Sequence, residues 1–341
     1  MPVRLTTRLA AMTTERLLLL DSASLYFRAF YGVPDQRSSA DEHPTNALRG
    51  FLDMIATLVN AHRPTHLVAC WDNDWRPQFR VDLIPSYKAH RVGEPAGSAS
   101  APAAGDAPDQ AHPASADTAA EEVPDDLAPQ VPLIVDALSA LGIARLGADG
   151  YEADDVIGTM VERYRGRMAI DVVTGDRDLL QLIDDTHCVR VLYTGKGGVR
   201  EPDQGTETYL RDKYAVPNGE AYLDMSILRG DTSDGLPGVK GIGDKTAAQL
   251  IAAHGSLAGL REAVESGHPS IKGARRANLE AAAAYLDVAP QVVRVVRDAP
   301  VADVDVALPT AVADTRLLSE LASTYGITNP INRVLAALQI P

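Results

Sequence analysis

The sequence predicts an α/β fold: a mostly parallel central sheet flanked by helices, followed by a smaller helical subdomain. Three observations carry this. Short unbroken apolar runs recur in the first 200 residues, and helical patterns separate them. After about residue 200 no strong strand run remains. Alternating strand and helix signals imply a parallel sheet, because parallel strands need crossover connections.

The runs are RLLLLD (16–21), THLVACWD (65–72), MAIDVVTGD (168–176) and CVRVLYTG (188–195). Their length and their Leu and Val content fit strands buried on both faces. Apolar residues at helical spacing mark 47–62 and 130–142, the latter closed by Gly142. Segment 154–166 opens with acids, ends with arginines and stops at a glycine, matching the helix dipole at both ends. Residues 95–120 contain no aliphatic side chain larger than Ala and no aromatic, so the expectation there is a disordered insert. Residues 1–14 are expected to be a flexible extension, 15–200 the core, 201–290 the helical subdomain and 291–341 a C-terminal segment without assignment.

The 341 residues are 45% apolar, enough for one large core or two domains, and the formal charge is −14. Taken alone, that charge argues against nucleic acid, since backbone binding needs Lys and Arg. Its distribution weakens the argument. Eight acids and no Lys or Arg lie between 92 and 130, and nine more acids belong to the candidate site below; what remains is mildly basic. Cys70 and Cys188 lack metal-ligand spacing and fit a reducing compartment. No run of 18 apolar residues exists, so no membrane span is expected and a cytoplasmic location is.

Acids recur where strands end. Asp21 and Asp72 close the first two runs; Glu152, Asp154 and Asp155 open a helix after a short run at 143–146; Asp176 and Asp178 close the run at 168–176. Asp231 and Asp234 lie in GDTSDGLPGVKGIGDKT, 230–246. Ligands of open α/β sheets bind outside the carboxyl ends of the strands. Any one of these acids could equally be a helix N-cap; five groups at strand ends and in one loop point to a shared site. Oxygen donors without a His or Cys cluster suit Mg²⁺ or Mn²⁺. Two such ions roughly 4 Å apart can clamp a phosphodiester, one activating water and one stabilising the leaving oxygen.

The stretch GVKGIGDKT is not a P-loop, because Asp244 stands between Gly243 and Lys245 and no strand precedes it. It fits a helix–hairpin–helix: a tight turn at Gly241 and Gly243, then a helix whose first amides, with Lys245 and Thr246, can hold a backbone phosphate. A Gly-rich turn capped by Asp244 is the plainer alternative. Segment 75–91 interleaves Arg76, Arg80, Lys88 and Arg91 with Trp75, Phe79 and Tyr87, suiting a single strand through charge and stacking, or a solvated surface with a few core aromatics.

Together LLLLDSASLYFRAF, FRVDLIPSYKAHR, GYEADDVIGT, VVTGDRDLLQL and GDTSDGLPGVKGIGDKTAAQL, in this order, resemble the 5′-nuclease (flap endonuclease) family, in particular the 5′→3′ exonuclease domain of bacterial DNA polymerase I, here without a polymerase attached. The resemblance runs from about Glu15 to residue 290. It implies a PIN-like or resolvase-like core. It also implies that Asp21, Asp72, Glu152, Asp154, Asp155, Asp176, Asp178, Asp231 and Asp234 hold two or more Mg²⁺ or Mn²⁺ ions. By the same resemblance, Lys88 and Arg91 approach the scissile phosphate from the base of a helical arch over 92–130, while the readings of 75–91 and of the Gly-rich stretch put Arg80, Tyr87, Gly241, Gly243, Lys245 and Thr246 on DNA. A monovalent cation at the helix–hairpin–helix, DNA polymerase and ligase as partners, and a monomeric state complete the implied picture. The Ala/Pro/Gly-rich insert departs from the family's shorter segment. An RNA-directed nuclease of the same core, or a junction binder with residual catalysis, stands as the alternative.

Overall fold

The computed structural model describes residues 15–39, 42–92 and 123–341. The expected N-terminal extension at 1–14, the insert at 95–120 and most of the arch region lie outside these residues.

The first strand, β1 (Arg16–Asp21), shows why a leucine run makes the centre of a sheet. Leu17 and Leu19 enter one apolar cluster and Leu18 and Leu20 the other, all four fully buried. Side chains alternate across a strand, so only a strand covered on both faces buries four in a row. Helices α1 (Ser22–Gly32) and α2 (Asn46–His62) follow, then β2 (His66–Cys70) and a short α3 (Gln78–Leu83). Next come α4 (Gln130–Leu141), β3 (Ala144–Leu146), α5 (Ala153–Tyr164), β4 (Ala169–Thr174) and β5 (Val189–Tyr193). The strand order is β3-β2-β1-β4-β5-β6, parallel throughout except for the last pair. The direction of winding reverses between β1 and β4, and that crevice is where α/β sheets bind ligands.

The edge strand β6 (Asp203–Gly205) was not expected from the sequence, because Asp-Gln-Gly carries no apolar signal. Within β4, Asp171 is fully buried, yet Arg16 and Arg190 from the two flanking strands bracket it at 2.7 and 2.6 Å. Burying that carboxylate is tolerable only with such partners.

Helices α6 (Glu207–Tyr214), α7 (Gly219–Arg229), α8 (Asp244–His254), α9 (Leu257–Glu265), α10 (Gly273–Ala281) and α11 (Ala283–Val293) form the expected helical part. Its apolar residues, among them Tyr222, Ile227, Ile242, Leu250 and Leu286, join the cluster that packs on one face of the sheet. The helical part is thus continuous with the core. The last segment supplies α12 (Thr315–Thr324) and α13 (Thr328–Leu338), whose Leu318, Leu321, Ile331 and Val334 cover the opposite face. Arg333 clamps Asp53 of α2 at 2.7 Å. Residues 306–308 pair with the start of β2, ahead of where β3 joins it, through hydrogen bonds of 2.9 and 3.0 Å to Leu67 and Thr65.

Candidate active site

The crevice between β1 and β4 is closed at its floor by one contact: Thr174 Oγ1 donates to Asp21 Oδ2 at 2.6 Å. Asp21 also caps α1, accepting from the Ser24 amide at 3.1 Å. Above this floor lies an open cavity of about 570 Å³. Eight of the nine expected acids line it: Asp21, Asp72, Glu152, Asp154, Asp176, Asp178, Asp231 and Asp234. Strand ends and helix starts deliver six of them, and the loop after α7 the last two.

Crowding shows in their proton affinities. Burial pushes Asp21 up to about 6, with the Asp176 charge adding to the rise and the Thr174 and Ser24 hydrogen bonds opposing it. Burial takes Asp72 to about 7 against one hydrogen bond from the Ala153 amide at 2.8 Å. Asp154 and Asp178 stand well above the usual carboxylate range, first through burial and then through the Asp176 charge. Asp234 is raised by burial too. Asp231 alone among them goes down: burial works against it, but hydrogen bonds from Arg177 and Ser233 outweigh that. Asp178 Oδ1 is buried with no hydrogen-bond partner.

These donors fit hard divalent cations. All are carboxylate oxygens, which is what Mg²⁺ or Mn²⁺ takes, and positive charge among them would offset the repulsion that adds to burial in raising Asp21, Asp72, Asp154, Asp178 and Asp234. Among the described residues, no three His, Cys, Asp or Glu side chains converge on one point as they stand. Part of the set is engaged elsewhere: Glu152 accepts from Lys88 Nζ at 2.6 Å and Tyr87 Oη at 2.7 Å, and Asp234 from Arg91 at 2.6 Å.

Lys88 and Arg91 line the same cavity, and their loop is locked to the acid loop. The Lys88 amide donates to the Asp234 carbonyl at 2.9 Å, and Ser86 Oγ to the Gly235 carbonyl at 2.7 Å. Gly235 has φ +71°, and a Cβ there would stand 1.9 Å from the Ser86 carbonyl oxygen. Only glycine fits that conformation at that distance. Burial alone would draw the Lys88 ammonium pKa down, but the Glu152 charge holds it well above its ordinary value.

Three placements correct the sequence expectations. Asp155 does not face the cavity. It takes both Arg80 nitrogens at 2.6 and 2.7 Å and the Val296 amide at 2.8 Å. Consecutive residues on a helix point about 100° apart, so Asp154 and Asp155 cannot share a target. Arg80, expected on DNA, is 2% exposed and spent on this pair and on the Val292 carbonyl at 2.9 Å. Tyr87 is 5% exposed with its hydroxyl on Glu152, so its ring has no face for a base. Conversely, Phe27, Tyr193 and Arg177 line the cavity without having been singled out; Arg177 stood inside the quoted TGDRD.

The Gly-rich stretch joins α7 to α8. Val239 and Ile242 are buried beneath it, and Gly241 turns the chain at φ +75°. Gly243 precedes α8 with nothing within 4 Å of a would-be Cβ. Lys245 is exposed and Thr246 half-buried. Gly243, Asp244 and Lys245 are all exposed, so the start of α8 lies at the surface, as phosphate binding requires.

Residues 16–215 match the family described as 5′-3′ exonuclease, N-terminal resolvase-like domain, and 217–315 its C-terminal SAM fold. A 5′-3′ exonuclease of Streptomyces coelicolor is 52% identical over 323 residues, covering 94% of this chain and 99% of that one. A DNA polymerase I of Mycobacterium bovis is 37% identical over 292 residues, 84% of this chain but 28% of the polymerase. In fold, the chain is similar to a bacteriophage T5 flap endonuclease solved with DNA and metal ions. The TM-score is 0.59 at 15% identity, covering 95% of this chain and all of that one. The chain belongs to the 5′-3′ exonuclease family, nucleases built from a resolvase-like sheet and a helical SAM-fold region.

Proposed function

We propose that the protein is a divalent-metal-dependent, structure-selective 5′ nuclease that hydrolyses DNA phosphodiesters at 5′ flaps, nicks and single-stranded 5′ ends. The observation that carries this is the gathering of eight acids and three cations, Lys88, Arg91 and Arg177, around one open cavity. Asp21, Asp72, Glu152, Asp154, Asp176, Asp178, Asp231 and Asp234 would hold two or more Mg²⁺ or Mn²⁺ ions. Bound there, such ions supply water activation and charge neutralisation at the leaving oxygen.

The chain's own residues do the rest. Lys88 and Arg91 present fixed positive charge to the phosphate that is cut, worth most where charge develops. Thr174 and the Ser24 amide hold Asp21 in place, and Arg177 holds Asp231. The amides at the start of α8, with Lys245 and Thr246, grip the duplex backbone away from the cut, reading phosphate and not sequence. Okazaki-fragment processing and repair alongside DNA polymerase and ligase are the roles this activity suits, with the protein acting as a cytoplasmic monomer.

The test is cleavage of a 5′-labelled flap duplex with Mg²⁺ and with Mn²⁺, beside Asp176→Ala. A short product cut near the junction, absent in the variant while DNA binding persists, supports the proposal. Unchanged cleavage by Asp176→Ala sinks it.

A further inference from the structure

Arg229, the last residue of α7, lies where the acid cavity meets the α8 loop. Its side chain is 9% exposed. Nε donates to the Gly230 carbonyl at 3.1 Å, and Nη1 to Asp244 Oδ1, on the first residue of α8, at 3.2 Å. Nη2 faces Asp178 Oδ1 at 3.8 Å and Asp231 Oδ2 at 4.0 Å. Both Nη2 and Asp178 Oδ1 are buried, and neither has a hydrogen-bond partner. The buried Tyr222 hydroxyl also faces this guanidinium, whose charge and polar contact oppose the rise that burial gives its pKa.

Buried polar groups left unpaired are costly, and the cost is greatest for charged ones. Here two opposite charges stop short of each other, and a shift of about 1 Å would complete their bond. What holds the guanidinium back is its bond to Asp244, whose side chain is 56% exposed at the mouth of α8.

We propose that Arg229 is a positioning residue that couples the grip of α8 on the duplex to the placement of Asp178 in the cavity. The coupling rests on the reading that the start of α8 binds a backbone phosphate. A phosphate arriving there repels the Asp244 carboxylate and loosens its hold on Nη1. The guanidinium then closes on Asp178, whose unmet oxygen faces it. Asp231 stays in place because Arg177 holds it from the other side. Chemistry thereby becomes more efficient once duplex occupies the helical part.

The experiment compares two flap substrates, one with a duplex long enough to reach α8 and one truncated short of it. The kcat is measured with Mg²⁺, and the Kd by fluorescence anisotropy in EDTA. For the parent enzyme, kcat on the long duplex is expected to exceed that on the short one about tenfold. In Arg229→Gln this gain shrinks to within twofold while the gain in Kd persists. Arg229→Lys stays near Arg229→Gln, because a compact ammonium lacks the planar fork that anchors Nε on the Gly230 carbonyl while Nη2 faces Asp178. Asp244→Asn, a change at an exposed side chain, raises kcat on the short duplex toward the long-duplex value. That last arm decides the matter if Arg229→Gln fails to fold. A parent kcat indifferent to duplex length, an undiminished gain in Arg229→Gln, or an unchanged short-duplex kcat in Asp244→Asn overturns the proposal. Failure of the phosphate reading itself shows separately, as a Lys245→Ala variant with the parent Kd on the long duplex.

Discussion

Lys88 Nζ lies 2.6 Å from Glu152 Oε2, a cation seated directly against one of the cavity acids. The lysine sits in a left-handed backbone conformation, φ 48°, so its loop is shaped to put it there. Replacing it by Met keeps the apolar stem and removes the charge. Single-turnover cleavage of a flap duplex is expected to fall about 10²–10³-fold, the range for losing one preorganised charge-stabilising donor. KM should move far less. A loss confined to KM would mean that Lys88 binds DNA and does not serve the chemistry.

Arg80 and Asp155 form a buried pair behind the same acids, 2% and 0% exposed. Arg80→Met strands the Asp155 carboxylate, and urea unfolding should register a cost of about 3–5 kcal/mol. Arg80→Met combined with Asp155→Leu should recover most of that. If both single variants unfold like the parent, the pair is not holding α3 to α5.

The pH dependence follows from the raised acids. Asp21 and Asp72 keep their protons in the folded protein up to about 6 and about 7, whereas an unfolded carboxyl near 3.8 has already released its own. Between about pH 4 and 7 the folded state therefore binds more protons than the unfolded chain, and stability falls as pH rises. In EDTA, Tm should decline across that window. On the proposed reading Mg²⁺ takes the ionised acids of the folded state, so it should raise Tm more at pH 7.5 than at pH 5. An EDTA profile that rises from pH 4 to 7 contradicts this.

Lys245 reaches solvent at the start of α8. Lys245→Ala should weaken flap-duplex binding about equally across sequences and lower the slope of log K against log salt by about 0.9, one phosphate contact. An unchanged slope would remove Lys245 from the interface.

Much of this was legible in the sequence. Leucines 17–20 could only be buried on both faces of a sheet, and acids at the ends of such strands had one crevice to meet in. The misplacements share a cause. Asp155 and Arg80 look functional in one dimension, as an acid among acids and a cation among aromatics, and only helix phase and a partner 75 residues away separate them from their neighbours. Tyr87 reads as a stacking ring until its hydroxyl is found on Glu152. Asp171 is hidden inside an apolar run, and its two arginines come from different strands. The closing helices α12 and α13 carry plain amphipathic patterns that say nothing of which sheet face they cover.

The interlock of Ser86 and Lys88 with Asp234 and Gly235 has one further consequence. It fastens Lys88 and Arg91 to the acid loop, with Arg91 itself anchored on Asp234. Among the described residues, the position of Lys88 and Arg91 is thus set by contacts made before residue 92 and in the loop at 231–235, so changes of sequence beyond 92 are expected to leave these two cations in place.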